Sequence, residues 1–116
     1  MGDKVQPIKL TDPDNGNVYE LDFNRDAVRF AEARGFDTDD VRKYPATKIP
    51  ELFYYAFRMH HKAMAKNQTD KLLDRLKGIP SHVLGRLIDL YNQAGLTNVI
   101  QTDEEAEKNA ESPWEL

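Results

Sequence analysis

A predominantly helical α+β fold, an N-terminal β-hairpin followed by a compact bundle of four to five helices, is what this sequence predicts on three observations. Two short β-favouring runs flank a turn-forming cluster near the start. Apolar residues then recur at helical spacing through most of residues 24–100. From Thr102 onward little remains to bury. The domain organisation that follows is one globular unit over 1–101, with the hairpin at 5–23 and helices over 24–100, and a flexible acidic tail over 102–116.

The hairpin is read from Val5, Ile8 and Leu10 on one side of Thr11-Asp12-Pro13-Asp14-Asn15-Gly16 and Val18, Tyr19, Leu21 and Phe23 on the other. Asn15-Gly16 predicts the turn, because both residues tolerate positive φ. Tyr19, Leu21 and Phe23 alternate onto one face. Pro7 cannot donate to a ladder, so the first strand is an edge or is interrupted there.

Asn24 to Gly35 carries the clearest local signals. Asn24 is an N-cap, and Phe23 and Val28 occupy the two positions of a hydrophobic staple. Asp26 in the first turn and Arg34 in the last suit the helix dipole. Gly35 predicts a Schellman ending with Phe36 folding back on Phe30, and Ala27, Phe30, Ala31 and Arg34 form the expected inner stripe. Residues 37–44 predict a short helix, acidic first and basic last, stopped by Pro45.

A long central helix is expected over 47–67, with Pro50 in its first turn and Ile49, Leu52, Phe53, Ala56, Phe57, His60, Ala63 and Met64 on a wide apolar face. A shorter helix over 69–77 carries Leu72, Leu73 and Leu76 and stops at Gly78. After Pro80, Ser81 caps a helix that runs to Ala94 and ends at Gly95, with Val83, Leu84, Leu87, Ile88 and Tyr91 inward. Residues 96–100 complete a further turn or a docking segment.

Composition narrows the function classes. There is no cysteine, so disulfides and thiolate chemistry are excluded. No apolar run approaches the roughly 20 residues that span a bilayer, and the N-terminus lacks a signal pattern, so neither export nor membrane insertion is expected. The net charge of −4 resides in the tail: residues 102–116 hold six acidic side chains against Lys108, and residues 1–101 hold 14 acidic and 15 basic. A nearly neutral body exerts little pull on nucleic acid.

No constellation points to catalysis, a cofactor or a metal. Adjacent His60 and His61 diverge by about 100° on a helix, where a metal pair needs three or four residues between ligands. On the same geometry His60 is expected to be packed and His61 to face solvent. Asp39-Asp40 and Glu104-Glu105 lack the buried setting of acid–base pairs. Asp12-Pro13-Asp14-Asn15-Gly16 lacks the length and final Glu of a calcium loop. Residues 72–93 have the outline of a helix-turn-helix, but the second helix opens with Ser81, His82, Val83, Leu84, Gly85 and Arg86, a single arginine where a DNA reader needs several contacts. The aromatic run Phe53, Tyr54, Tyr55 and Phe57 exceeds what one core face accepts. Tyr54, Tyr55 and Arg58 are accordingly the candidate protein-binding residues, with packing of both tyrosines on the hairpin or a neighbouring helix as the competing reading.

A hairpin ending in Tyr19-Glu20-Leu21-Asp22-Phe23 leads straight into Asn24-Arg25-Asp26-Ala27-Val28-Arg29-Phe30-Ala31-Glu32-Ala33-Arg34-Gly35-Phe36, and a helical domain with a charged C-terminus follows. Over residues 5–100 this order resembles the tail assembly chaperones of long-tailed, siphovirus-type bacteriophages of Gram-positive bacteria. The resemblance implies a non-enzymatic virion-morphogenesis factor. It would coat the helical tape measure protein in the cytoplasm of the bacterial host, contact tail tube protein transiently and be absent from the mature virion. It further implies a frameshifted longer form branching near the acidic tail, and no active-site residue. A phage head-tail connector and a small helix-turn-helix regulator are the alternatives. The exposed hairpin edge makes a homo-oligomer a further expectation.

Overall fold

The computed structural model describes residues 4–96 and 99. The acidic tail expected over 102–116, and most of the segment expected to follow the last helix, lie outside the described residues. A two-stranded antiparallel hairpin precedes five helices, as the sequence predicts.

Strand β1 (Ile8–Thr11) pairs with β2 (Val18–Leu21), Ile8 opposite Leu21 and Leu10 opposite Tyr19. Pro7 stands just before β1, where its missing N–H breaks no ladder bond. Asn15-Gly16 does not make a two-residue turn. The Asp12 carboxylate accepts the Asp14 N–H at 2.9 Å and the Asn15 amide oxygen accepts the Asn17 N–H at 2.9 Å. The Asp12 N–H donates to the Asn17 carbonyl at 2.8 Å, so the loop spreads over residues 12–17, and Gly16 alone turns left-handed at φ 74°. Asp12 is buried and Arg75 reaches it from α4, at 2.5 Å, and touches Asp14 at 3.0 Å. The Asp14 N–H, and after it the Arg75 guanidinium, hold the Asp12 carboxyl below the usual carboxylate range against the opposing effect of burial.

Helix α1 (Arg25–Glu32) is built as its sequence predicts. The Asn24 side chain accepts the Ala27 N–H at 2.8 Å, and Phe23 and Val28 are both buried. Gly35, at φ 79°, donates to the Glu32 carbonyl, and Phe36 donates to the Ala31 carbonyl at 3.1 Å, the two bonds of a Schellman ending. The inner stripe differs in two places: Val28 is buried where Phe30 is only half-buried, and Arg34 lies exposed beyond the end of the helix, with its guanidinium over the Phe30 ring. Phe36 packs edge-on to Tyr55 and Tyr91, at 5.2 and 5.4 Å between ring centroids.

Helix α2 (Asp40–Lys43) is one turn long. Pro45 does not merely stop it; it opens α3 (Pro45–Ala56) at the first helical position, where its absent N–H breaks no helical bond. The expected helix over 47–67 is in fact two. α3 ends at Ala56, and α4 (Lys66–Leu76) starts at Lys66 rather than Thr69. Pro50 consequently lies inside α3. The break has no Gly or Pro to announce it. Its cause is the hairpin: the Asp22 N–H donates to the Ala56 carbonyl at 3.2 Å, and the Glu20 N–H donates to Nε2 of His61 at 3.0 Å. A strand thus takes the acceptor that the next helical turn would use. With the helical stepping interrupted, the expected roles of the histidines reverse. His61 is half-buried against Tyr19 and Phe57, and His60 is exposed beside Glu20 at 3.3 Å.

Helix α4 starts without a capping side chain at Ala65, but the Gln68 carboxamide oxygen accepts the Ala65 N–H at 2.8 Å. It ends one residue before the expected Gly: Lys77 itself turns left-handed at φ 60°, and Gly78 donates to the Leu73 carbonyl. Helix α5 (Ser81–Leu96) passes through Gly95. Ser81 is its first residue rather than its cap, because the Pro80 carbonyl accepts from Val83 and Leu84.

Helix α3 is the centre of the core and packs against all four other helices. Leu52, Ala56 and Phe57 from α3 and its end, Leu72 from α4 and Leu87 and Leu90 from α5 are all at most 1 % exposed. Gly85, by contrast, is an exposed position within α5 where an added Cβ meets nothing within 4 Å. Gly85→Ala is therefore expected to stabilise the fold by about 0.5–1 kcal/mol, since glycine within a helix costs that much relative to alanine. Urea denaturation checks this as a raised midpoint with an unchanged slope.

Candidate protein-interaction site

Tyr54, Tyr55 and Arg58 do not form one surface. Tyr55 is 5 % exposed and belongs to the core, edge-on to Phe36 at 5.2 Å and Phe30 at 6.0 Å. Tyr54 and Arg58, one helical turn apart, are half-buried. They adjoin Phe30, which carries the Arg58 guanidinium at 3.9 Å and the Arg34 guanidinium at 4.1 Å from its centroid. Tyr54 lies 6.5 Å from the same ring. Each cation–π contact is worth about 0.5–1 kcal/mol at such a partly wet site. The result is an aromatic patch with two fixed positive charges, suited to a carboxylate-bearing or aromatic partner.

A second surface is more apolar and was not legible at the outset. A groove of about 320 Å³ runs along β1, walled by Ile8, Leu10, Phe53, Leu76, Ile79 and Val83, with the buried Leu21 and Leu87 at its floor. Lys9 is the one charged residue among those that line it. Its far wall is the Gly78-Ile79-Pro80 turn between α4 and α5. Ile79, an apolar residue set between two helix breakers, is the one sequence signal that could have marked this place, since such turns are ordinarily polar.

Among the described residues, the strand bordering the groove pairs along one edge only. The Glu20 and Asp22 N–H groups point away from β1, toward His61 and Ala56, so the pair Lys9–Glu20 is of the non-hydrogen-bonded type. Lys9 and Thr11 then direct their own N–H and C=O groups away from β2. Among the described residues β1 is an open edge, with an apolar trough beside it.

A larger hollow of about 510 Å³ lies between the segment Lys4–Pro7 and the start of α1, with Met59 and Gln93 on its wall. It is lined by a mixture of charged and apolar groups, and Gln93 spans one side by accepting the Val5 N–H at 2.8 Å. Among the described residues there is no group of three or more His, Cys, Asp or Glu placed to hold a metal, and no helix long and apolar enough to cross a membrane. Helices α4 and α5 each pack on α3, and the exposed start of α5 presents His82 and Arg86 as its basic groups.

Titration reports on the core between these surfaces. Burial, reinforced by the negative charges of Glu32 and Asp37, pushes the Tyr91 hydroxyl up to about 12, and burial with Glu51 raises Tyr55. The folded state thus keeps protons that the unfolded chain releases near pH 10. The stability Tyr91 contributes is fully present below pH 10 and is lost as the pH rises through about 12, and the raised Tyr55 acts in the same direction. Tyrosinate absorbance is expected to rise in two stages, the later one coincident with loss of helix; a single transition near pH 10 in the folded protein would contradict the burial.

No curated protein and no solved structure matches the chain. Its whole length, residues 1–116, matches one family model, and the chain therefore belongs to the family described as Domain of unknown function (DUF5055).

Proposed function

We propose that this protein is a non-catalytic assembly chaperone that holds an amphipathic helical partner, in the manner of the phage tail chaperones that residues 5–100 resemble. The observation that carries this reading is the apolar groove along β1, whose walls come from the hairpin, α3, α4, the α4–α5 turn and α5. Such a trough accepts side chains repeated at i, i+3 or i+4 on a bound helix. A tape measure protein is a long helix of that kind. Many weak sites along it give secure coating that tube subunits can still displace. The Phe30–Tyr54–Arg58 patch supplies a second, more polar contact, suited to carboxylates of the partner or of tail tube protein.

The test is co-expression with a tape measure protein, or a long helical fragment of one, measured as soluble partner recovered. Recovery is expected with the unaltered chain. Ile79→Asp combined with Val83→Asp is expected to weaken capture at least about tenfold, equivalent to 1.4 kcal/mol. Tyr54→Ala with Arg58→Ala is expected to weaken it less. Undiminished capture by the Ile79/Val83 variant, with its helical content intact, would remove the groove from the mechanism. An insoluble partner with both this chain and any frameshifted longer form would overturn the chaperone reading itself.

A further inference from the structure

We propose that the groove along β1 is filled by this chain's own residues 112–116, paired to β1 as a third strand, so that a partner must displace them; this rests on the groove being the binding surface named above. Four observations carry the assignment. The first is the match of side-chain pattern. Over residues 102–116 the large apolar side chains are Trp114 and Leu116 alone, and they flank Glu115. In an extended strand Trp114 and Leu116 share one face and Glu115 takes the other. β1 shows the complementary order: Ile8 and Leu10 line the groove together with Leu21, the partner of Ile8, and between them the side chain of Lys9 alternates to the other side of the strand while the residue still borders the groove.

The second is backbone capacity. Lys9 directs its N–H and C=O groups outward from the hairpin, as the bonding of Glu20 and Asp22 on the other side requires. A strand that pairs there satisfies those groups, with Glu115 directly opposite Lys9 and the two apolar neighbours dropped into the trough. Pro113 precedes Trp114 and disfavours helix for the residue before it, which suits an extended approach.

The third is charge. The groove's one charged lining residue is Lys9, and residues 102–116 hold six acidic side chains against one basic. The fourth is reach. Seventeen residues separate Leu96, the end of α5, from Trp114. At about 3.3 Å each they extend to roughly 55 Å. The return along α5 from Leu96 to Val83 is about 20 Å at 1.5 Å per residue. Linkage of this kind supplies an effective concentration in the millimolar range, so even a weak strand contact is populated.

Trp114 is the chain's single tryptophan, and its fluorescence reads the contact without any partner. In the full chain its emission is expected to be blue-shifted and protected from acrylamide, independent of protein concentration. Val83→Asp is expected to shift the emission to the red and remove the protection while the far-ultraviolet circular dichroism stays unchanged. Lys9→Glu is expected to do so in part, and Lys9→Glu with Glu115→Lys to restore the blue shift, a recovery that general destabilisation would not give. Emission of a solvent-exposed tryptophan in the unaltered chain overturns the proposal. So does a blue shift that vanishes on dilution, which would place the segment in the groove of a second copy. Because no partner is present, these outcomes are separate from success or failure of the co-expression test. Removal of residues 102–116 is then expected to tighten partner capture.

Discussion

Phe57→Ala is expected to remove about 3–5 kcal/mol of folding stability, the range for deleting a large buried aromatic side chain. Whole domains are stable by only about 5–15 kcal/mol, so the variant should be near its unfolding midpoint at modest urea. The expectation follows from where the ring sits. Phe57 is 1 % exposed, immediately after α3 ends, and lies edge-on to Phe53 at 5.1 Å, Tyr19 at 5.3 Å and His61 at 6.1 Å. It is the residue through which the hairpin and the central helix share one core. Urea titration gives the loss directly, and amide exchange should show the Glu20 and Asp22 N–H groups losing protection first. A loss below about 1 kcal/mol, typical of a surface change, would mean that the hairpin does not depend on this ring.

Adjacent tyrosines are expected to behave in opposite ways. Tyr55→Ala should cost about 3–5 kcal/mol, because a ring buried against Phe30, Phe36 and Tyr54 is removed from the centre of the helical layer. Tyr54→Ala, which truncates a half-buried ring on the surface patch, should cost about 1 kcal/mol. Denaturation of the two single variants side by side checks the contrast. Equal losses would contradict the burial difference. The contrast also decides how binding is tested: Tyr54 and Arg58 can be altered in a folded protein, and Tyr55 cannot.

These two residues mark the boundary of what the sequence discloses. Helix α1 was legible in detail because its determinants are local: Asn24 caps within three residues, and Gly35 and Phe36 close the other end within five. The division of residues 47–67 into two helices was not, because it depends on Asp22 and Glu20 reaching across more than thirty positions to Ala56 and His61. Neither partner leaves a local mark. The loop over residues 12–17 shows the same limit on a smaller scale. Asn15-Gly16 suits a tight turn, but side-chain acceptors at Asp12 and Asn15 favour a wider one, and Arg75 from a distant helix fixes the choice. For Tyr54 and Tyr55 periodicity left two faces open, and Phe36 settled which one turned inward. The groove is the extreme case, since its walls come from five separate segments.

The unequal bonding of the two strand edges has a consequence for assembly. β2 offers nothing to a newcomer at Glu20 and Asp22, because α3 and His61 already occupy its outward amides. A sheet that can accept a neighbour on one side only is a chain terminator: each molecule adds a single strand or joins a single twin, and the growth stops. Open-ended stacking of this domain into fibres is thereby blocked at its hairpin.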